Sequence, residues 1–224
     1  MSDERRQERE IAALVHGRYL LEIPPEPEGR PLVVGFHGYG ENAEKSLDEL
    51  RRIPGASRWV LCAAQALHPF YNRTGGVIAS WMTRQLRERA IVDNIRYVSS
   101  VVTEIKRELA ISERLVYLGF SQGAAMAYRA AAGSGHACQG VIVLGGDVPP
   151  EMADRALSGF PPVLLGRGAS EEQYDAIKME HDVELLRGKG VEVRPCVFQG
   201  GHEWTDEFKA AAGRFLEEVF QEPS

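Results

Sequence analysis

Cysteine is scarce in this sequence, and long apolar runs are absent. The three cysteines are Cys62, Cys138 and Cys196, and an odd number without metal-ligand spacing predicts neither a disulfide framework nor a metal site. Reduced thiols of this kind are typical of a cytoplasmic protein, which is the location we expect. No apolar run approaches the length of a membrane span, so the sequence predicts no membrane-spanning helix.

Positive charge is also in short supply. The 26 lysines and arginines are outnumbered by 32 aspartates and glutamates, which gives a formal net charge of −6. Without a basic stripe, nucleic acid is not expected as the main partner. Ser2–Glu10 is dense in charges of both signs and has no apolar core, so we expect no signal peptide. Residues 1–16 are interpreted as a charged extension, either a solvated helix or a frayed tail.

Short apolar runs alternate with helical patterns along the rest of the 224 residues. Strands are predicted over 18–23, 31–37, 59–63, the run that starts at Leu115, 141–144, 162–166 and 191–198. Helices are predicted over 43–53, 91–109, from Ser121 to near Gly133, 172–187 and 203–220. The alternation predicts one domain, 1–224, of the α/β class, with a mostly parallel sheet covered by helices on both faces.

One motif organises the chain, Gly119-Phe120-Ser121-Gln122-Gly123. An apolar run precedes it and an alanine-rich segment follows, which is the pattern of a strand that turns sharply into a helix with a serine at the apex. Glycines two residues either side of Ser121 fit because larger side chains would collide in so tight a turn. The motif predicts a nucleophilic serine whose hydroxyl stands clear of the sheet.

A serine hydroxyl needs a base, and the base needs an acid to orient it. Of the six histidines, His136, His181 and His202 follow Ser121. His202 lies in a glycine-rich turn just after the last predicted strand, at the sheet edge where Ser121 is also expected. His181 lies within a helix and His136 in a polar loop, so both are expected to be ordinary surface residues. The sequence therefore predicts His202 as the base.

The acid is expected after the strand 162–166 or after the strand before it. Glu171, Glu172 and Asp175 follow the first of these strands and Asp147 follows the second. Each carboxylate alone is also explained as a solvated loop residue or a helix N-terminal charge. Spacing does not choose among the four.

The oxyanion formed by attack on a carbonyl needs donors that are fixed beforehand. One predicted donor is the backbone N–H of Gln122, and the second is expected in the turn 37–40. The same turn begins a rival pattern, since 38–43 has the Gly-x-Gly-x-x-Ala form of a dinucleotide-binding loop. A dinucleotide site would need an acid or arginine at the end of the next strand, and 62–66 offers neither, which disfavours this alternative.

Three motifs together resemble those of the phospholipase/carboxylesterase branch of the α/β-hydrolases, which includes acyl-protein thioesterases. They are 36–40 (Phe-His-Gly-Tyr-Gly), 119–123 (Gly-Phe-Ser-Gln-Gly) and 200–204 (Gly-Gly-His-Glu-Trp). The resemblance covers nearly the whole chain after residue 17. It implies an α/β-hydrolase fold without a large cap domain, and an enzyme that needs neither a metal nor an organic cofactor.

The resemblance also implies roles for individual residues. Ser121 corresponds to the nucleophile, His202 to the base, and the Tyr39 N–H to the second oxyanion donor beside that of Gln122. The family pattern Gly-x-x-Asp corresponds to 168–171, which makes Glu171 our choice for the acid, with glutamate in place of the usual aspartate. The additional methylene of glutamate keeps Glu172 and Asp147 open as alternatives.

The long connection 64–87 is rich in large apolar side chains, and such a loop is usually functional or mobile. By order along the chain, Phe70, Tyr71, Trp81 and Met82, with Val148, are predicted to line an apolar surface for the substrate, although core packing explains each of them equally well.

The expected function is hydrolysis of small to medium carboxylic esters, or thioesters, through an acyl-enzyme. Lysophospholipase or acyl-protein thioesterase activity is the alternative, and a non-catalytic binding protein on the same scaffold is the other class considered. The expected partner is a small-molecule ester, and the sequence leaves open a homodimer and the identity of the ester.

Overall fold

The computed structural model describes residues 7–221, and the first six residues of the predicted extension lie outside the described residues. Residues 7–18 are exposed and form neither helix nor strand, so the alternative of a helix is not observed there. Among residues 7–221, no helix combines the length and the apolar character needed to cross a membrane.

The described residues contain a main sheet, a separate hairpin and five long helices. The strands are β1 (Tyr19–Glu22), β2 (Leu32–Phe36), β3 (Val60–Ala64), β4 (His68–Tyr71), β5 (Val77–Ser80), β6 (Leu115–Phe120), β7 (Gly140–Leu144), β8 (Val163–Gly168) and β9 (Val193–Phe198). The helices are α1 (Ala43–Arg51), α2 (Arg87–Leu109), α3 (Gln122–Gly133), α4 (Ala176–Gly188) and α5 (Asp206–Val219).

The main sheet has seven strands in the order β1-β3-β2-β6-β7-β8-β9. β1 is antiparallel to β3, and every other neighbouring pair in this sheet is parallel. Buried parallel strands need apolar residues on both faces, and β2 shows why: Leu32, Val34 and Phe36 pack into one core and Val33 into the other. Helices α2, α3 and α4 complete the first core, and α1 and α5 complete the second. The predicted α/β class is confirmed.

The connection 64–87 is more ordered than the sequence indicated. It contains the antiparallel hairpin of β4 and β5, which pairs Tyr71 with Val77 and His68 with Ser80. The base of the hairpin is fastened to the turn after β2, because Gly40 N–H donates to the carbonyl of Ala79 at 3.0 Å and Ala79 N–H donates to that of Glu41 at 2.8 Å. The hairpin is therefore part of the wall around the turn that was predicted to hold an oxyanion donor.

Two helices begin later than their apolar patterns suggested. α4 begins at Ala176 because the side chain of Asp175 accepts a hydrogen bond from Lys178 N–H at 2.9 Å and caps the helix. α5 begins at Asp206 because Thr205 caps it in the same way, through Phe208 N–H. Because of these caps, 169–175 and 199–205 lie outside the helices and form loops at the sheet edge.

The start of α3 makes the tightest backbone contact near this edge. A Cβ on Gly123 would lie 2.2 Å from the carbonyl oxygen of Phe36, and a Cβ on Gly119 would lie 2.1 Å from the carbonyl oxygen of Gly123. Backbone atoms cannot move aside as a flexible side chain can, so both positions require glycine. The first turn of α3 is thereby pressed against the end of β2.

We expect Gly123→Ala to lower the free energy of unfolding by roughly 1–3 kcal/mol, because the added methyl overlaps a backbone carbonyl. Gly188→Ala is the matched control: it is also a helical glycine, but a Cβ there meets nothing within 4 Å. We expect the control to be neutral or slightly stabilising. Urea denaturation of the two variants and the wild type measures the difference. Equal stability of both variants would contradict the close approach.

Candidate active site

Ser121 lies at the junction of β6 and α3 in a strained backbone conformation. Its φ is 53° and its ψ is −119°, a region that residues with a side chain rarely adopt. Its N–H donates to the carbonyl of Leu144 at 2.8 Å, which holds the turn against the end of β7. The strain lifts the hydroxyl from the sheet into a cleft of about 540 Å³. We call this space the histidine cleft, because His202 lines it together with Ser121, Gly38, Tyr39, Phe120 and Trp204.

His202 and Glu171 form a close pair in the loops after β9 and β8. The distance from His202 Nδ1 to Glu171 Oε2 is 2.5 Å, and the Glu171 side chain is 1% exposed. Glu171 Oε1 accepts hydrogen bonds from the N–H groups of Gln173 at 2.7 Å and Tyr174 at 3.3 Å. Because a carboxylate only accepts hydrogen bonds, Nδ1 carries the proton in this pair, which leaves Nε2 of the imidazole available as a base.

The imidazole is also fixed by packing on its two sides. The ring of Phe120 lies 4.8 Å from it, centroid to centroid, with an interplanar angle of 35°. On another side lies Gly145, where an added Cβ would be 3.0 Å from His202 Nδ1 and 3.5 Å from Glu171 Oε2. The chain therefore needs a residue without a side chain after β7 to make room for the histidine–glutamate pair.

The other candidate acids and histidines lie elsewhere. Asp175 caps α4, Glu172 is exposed, and Asp147 is 58% exposed with its nearest cation, Lys178 Nζ, at 3.8 Å. Of the four carboxylates that the sequence left open, the structure brings Glu171 alone into contact with His202.

The two other histidines that follow Ser121 have no part in the site. His181 is exposed on α4, and the ring of His136 contacts Ser99 and Thr103 on α2.

Ser121 and His202 share the cleft without a direct hydrogen bond. Within residues 7–221, no hydrogen bond joins Ser121 Oγ to His202 Nε2, although both side chains line the same space. Hydrogen bonds between a catalytic hydroxyl and its base often tighten only when substrate is bound. The free nitrogen of the imidazole and the hydroxyl remain the two reactive groups of this cleft.

The backbone N–H groups of Tyr39 and Gln122, on either side of Ser121, have no hydrogen-bond acceptor among the described residues. The neighbours of Tyr39 are engaged: Gly38 N–H donates to Glu41 Oε2 at 2.9 Å, and Gly40 N–H donates to Ala79. The turn is therefore held firmly while one of its donors stays free. These are the two amides that the sequence predicted as oxyanion donors.

Trp81 was predicted to line a substrate surface, and this prediction is wrong. Its side chain is fully buried in the core, where it packs edge-on against Phe36 at 5.3 Å, and its indole N–H donates to the carbonyl of His37 at 2.9 Å. The Gln122 side chain, whose role the sequence did not reveal, accepts the backbone N–H of Trp81 at 2.8 Å. Trp81 thus links the turn after β2 to the start of α3.

The other predicted substrate-binding residues lie on the surface to different degrees. Phe70 is 36% exposed, its ring lies 5.8 Å from that of Tyr39, and with Met82 it lines a space of about 910 Å³, here called the hairpin groove. Met82 and Val148 also line a smaller cavity of about 340 Å³ that reaches Ser121. Tyr71 is 76% exposed and is not among the lining residues of the histidine cleft, the hairpin groove or this smaller cavity.

A buried carboxylate behind the site was missed by sequence reasoning. Asp182, on α4, is 4% exposed, and its Oδ2 accepts hydrogen bonds from Val148 N–H and from the Tyr174 hydroxyl, each at 2.9 Å. It thereby ties the loop after β7 to the loop that carries Glu171. Burial raises the pKa of the Asp182 carboxyl. No motif marks an aspartate inside a helix as buried.

Comparison with known proteins supplies independent findings. The family model described as Phospholipase/Carboxylesterase matches residues 22–219. The protein NocK of Nocardia uniformis subsp. tsuyamanensis, to which an esterase activity is provisionally ascribed, is 33% identical over 142 residues. The matched region is 63% of this chain, and it spans only 40% of the length of NocK.

Solved structures of similar shape share less sequence. The esterase PE8 superposes with a TM-score of 0.73 at 21% identity, over 92% of this chain and 100% of that one. The Bacillus cereus carboxylesterase gives 0.72 at 16% identity, over 91% and 95% of the two chains. Acyl-protein thioesterase 2 of Zea mays gives 0.69 at 18% identity, over 91% and 99%. At these identities the likeness establishes the fold alone.

Glu171→Gln is expected to lower kcat for p-nitrophenyl acetate by about 10²–10⁴-fold with little change in KM, because an amide no longer holds the imidazole in the required tautomer. Glu172→Gln, on the same loop, and Asp147→Asn, on the loop after β7, are matched controls and are expected to stay close to wild type. Loss of turnover in Asp147→Asn with full activity in Glu171→Gln would reverse the assignment.

Asp182→Asn keeps an oxygen for the bonds from Val148 and Tyr174 and removes the buried charge. Because burial raises the pKa of Asp182 in the folded protein, the folded wild type binds more protons than the unfolded chain in the acid range. Its stability relative to the variant is therefore expected to fall as pH rises through that pKa. Urea midpoints of both proteins between about pH 4 and 7 measure this. A pH-independent difference would contradict it.

Proposed function

Because the chain belongs to the phospholipase/carboxylesterase family, with the α/β-hydrolase fold, we propose that it is a serine hydrolase acting on carboxylic esters. The observation that carries the proposal is the contact between His202 Nδ1 and the buried Glu171 in the cleft that Ser121 also lines. An oriented imidazole beside a serine on a strained turn is the arrangement that nucleophilic catalysis of acyl transfer requires.

In the proposed reaction, Ser121 Oγ attacks the ester carbonyl while His202 Nε2 takes the hydroxyl proton. The carbonyl oxygen becomes an oxyanion, which accepts the free N–H groups of Tyr39 and Gln122. Glu171 stabilises the imidazolium that forms and keeps its ring in place. The hydrogen bond between Ser121 Oγ and His202 Nε2 forms as substrate binds, whereas the two N–H donors are already free.

The later steps, release of the alcohol and hydrolysis of the acyl-enzyme, use the same groups. His202 gives its proton to the leaving alcohol as the ester C–O bond breaks, which leaves the acyl group on Ser121. Water then enters beside His202, which removes a proton from it as the water oxygen attacks the acyl carbon. The bond between the acyl carbon and Ser121 Oγ breaks, His202 returns the proton to Ser121 Oγ, and the acid is released. One histidine thus serves as base and then as acid in each half.

The sizes of the spaces around Ser121 support a small to medium acyl group. The smaller cavity has about 340 Å³, which suits a short acyl chain. The hairpin groove, of about 910 Å³ and lined by Phe70 and Met82, supports the alternative of a longer acyl chain, as in a lysophospholipid or an acylated thiol. A binding protein without catalysis is disfavoured, because it would have no need of the His202–Glu171 pair.

We further propose that the protein works in the cytoplasm on a small-molecule ester, as the sequence indicated. Cys62, Cys138 and Cys196 are all unpaired, which supports a reducing compartment. We also propose that the protein forms a homodimer, and its molar mass measured by sedimentation equilibrium would test this.

The serine is tested by a fluorophosphonate probe. We expect wild type to be labelled at Ser121 and Ser121→Ala to lose both labelling and at least about a thousandfold in kcat for p-nitrophenyl esters. Ser170→Ala, an exposed serine on the loop of Glu171, is the matched control and should be labelled like wild type.

Failure of the wild type to label at Ser121, with the protein shown to be folded by circular dichroism, would overturn the enzymatic proposal. A series of p-nitrophenyl esters and thioesters of increasing chain length then separates the short-chain esterase from the long-chain alternatives. The chain length at which kcat/KM is highest tells which space receives the acyl group.

A further inference from the structure

The smaller cavity beside Ser121 contains a buried arginine that the reaction does not use. We call this space the Arg129 cavity. Most of its lining surface is apolar, and the apolar side chains there are Met82, Ala125, Val148, Pro149 and Pro150. Its two charged lining residues are Arg129, which is 4% exposed, and Asp147, whose side chain is mostly in solvent near Lys178. A positive charge at the wall of an apolar cavity is costly unless it has a partner.

Arg129 has a partner for only one edge of its guanidinium. Nε donates to Glu151 Oε1 at 2.6 Å, and Nη1 makes only a weak contact with Met82 Sδ at 3.8 Å. Among residues 7–221, Nη2 reaches no acceptor, and yet it is not one of the enclosed polar atoms that lack a partner. Nη2 is therefore not fully enclosed by protein, and Arg129 is one of the residues that line the cavity. The Nη1–Nη2 edge is the one that binds a carboxylate through two parallel hydrogen bonds.

The charges around this group leave room for one further anion. Glu151 is shared between Arg129 and Arg87, whose Nη2 lies 3.3 Å from Glu151 Oε2. Two guanidinium groups and one carboxylate carry one excess positive charge. Glu88 also contacts Arg87, but its side chain is 83% exposed, where water and salt screen it. A carboxylate bound at Arg129 would balance the excess charge of this cluster of Arg87, Arg129 and Glu151.

Helix geometry directs Arg129 towards the nucleophile. Ser121, Ala125 and Arg129 are spaced four residues apart at and along α3, so they share one face. The Cα atoms of Ser121 and Arg129 are roughly 12 Å apart along the axis at the rise of an α-helix. Helical side chains lean back towards the N-terminus, which brings the guanidinium closer to Ser121 than that. The methyl group of Ala125 leaves the space between them open.

The position of His202 decides which half of the ester occupies this cavity. The leaving alcohol must take its proton from His202, which lines the histidine cleft and does not line the Arg129 cavity. The alcohol half therefore lies in the histidine cleft. The acyl half extends the other way, from the carbonyl at Ser121 towards Arg129.

We propose that the Arg129 cavity binds a carboxylate at the far end of the acyl group, so that half-esters of short dicarboxylic acids are the preferred substrates. This proposal rests on the proposed function. In the reaction, Ser121 Oγ bonds to the acyl carbon, the ester C–O bond breaks, and the alcohol leaves with the proton from His202. Water then releases the dicarboxylic acid. Arg129 takes no part in the bond changes; it selects and orients the substrate.

The test compares substrates that differ only in the terminal group. Monoethyl glutarate and monoethyl adipate are paired with the neutral ethyl pentanoate and ethyl hexanoate, and ethanol release is measured. We expect wild type to prefer the half-esters. We expect Arg129→Met to lower kcat/KM for the half-esters by about 10- to 100-fold more than for the neutral esters, which is the effect of losing a charge-assisted pair.

Two further variants separate binding from folding. The double variant Arg129→Met with Glu151→Gln removes both partners, so that no acid is left without its arginine, and we expect the same loss of preference. Arg89→Met removes an exposed charge from α2 and is the matched control, with the preference of the wild type. An equal loss on half-esters and neutral esters in the Arg129 variants, or no preference in wild type, would overturn the proposal.

Binding of free acids distinguishes this proposal from the proposed function. In Ser121→Ala protein, calorimetry is expected to show adipate binding that exceeds hexanoate binding and that disappears on adding Arg129→Met. Adipate binding that depends on Arg129 would support the cavity even if Ser121 in the wild type failed to label. Labelling at Ser121 without adipate binding and without half-ester preference would leave the hydrolase standing and refute the cavity's selectivity.

Discussion

The contact on which the site depends is made between backbone atoms. The first turn of α3 lies so close to the end of β2 that Gly123 has no room for a Cβ beside the carbonyl of Phe36. This approach places the amide of Gln122 next to the turn that carries the amide of Tyr39. Donors that stabilise an oxyanion must be held before charge develops, because reorganising them would cost part of what they contribute. The rigidity comes from the main chain and from Trp81, which is hydrogen-bonded to both segments.

The histidine–glutamate pair is supported in a different way, by loops that are tied together behind it. Asp182 holds the loops after β7 and β8 through Val148 and Tyr174, and the Tyr174 amide in turn binds Glu171. Two buried carboxylates within such a short distance of chain cost folding free energy. That cost is offset by the hydrogen bonds each makes, and the result is an acid whose two oxygens are both oriented. Stability and function are therefore coupled at these loops.

The sequence predicted the parts of the site that follow from local chain geometry. Buried parallel strands need continuous apolar runs, and a serine turn needs its glycines, so the sheet and the position of Ser121 follow directly. Side-chain burial in long connections does not follow from the local sequence. Trp81 in a connection gives no local sign that it will enter the core, and the strand β4, with an exposed His-Pro-Phe-Tyr sequence, lacks the alternation that marks a strand. Arg129 and Asp182 lie in helices, and which neighbour a helix face meets is decided by tertiary packing.

The fastening of the hairpin to the turn after β2 has a mechanical consequence. Two hydrogen bonds between Gly40, Glu41 and Ala79 join the base of the hairpin to the segment that carries the Tyr39 amide. Its tip, at 72–76, is exposed and is braced by Asn72, whose side chain accepts from Thr74 and Gly76. A ligand that pushes on Phe70 therefore acts on a hairpin whose hydrogen-bonded base lies next to the oxyanion donor. Changes in length at the tip leave the hydrogen bonds at the base in place. The tip is therefore the segment where new recognition elements can be grafted without disturbing the chemistry.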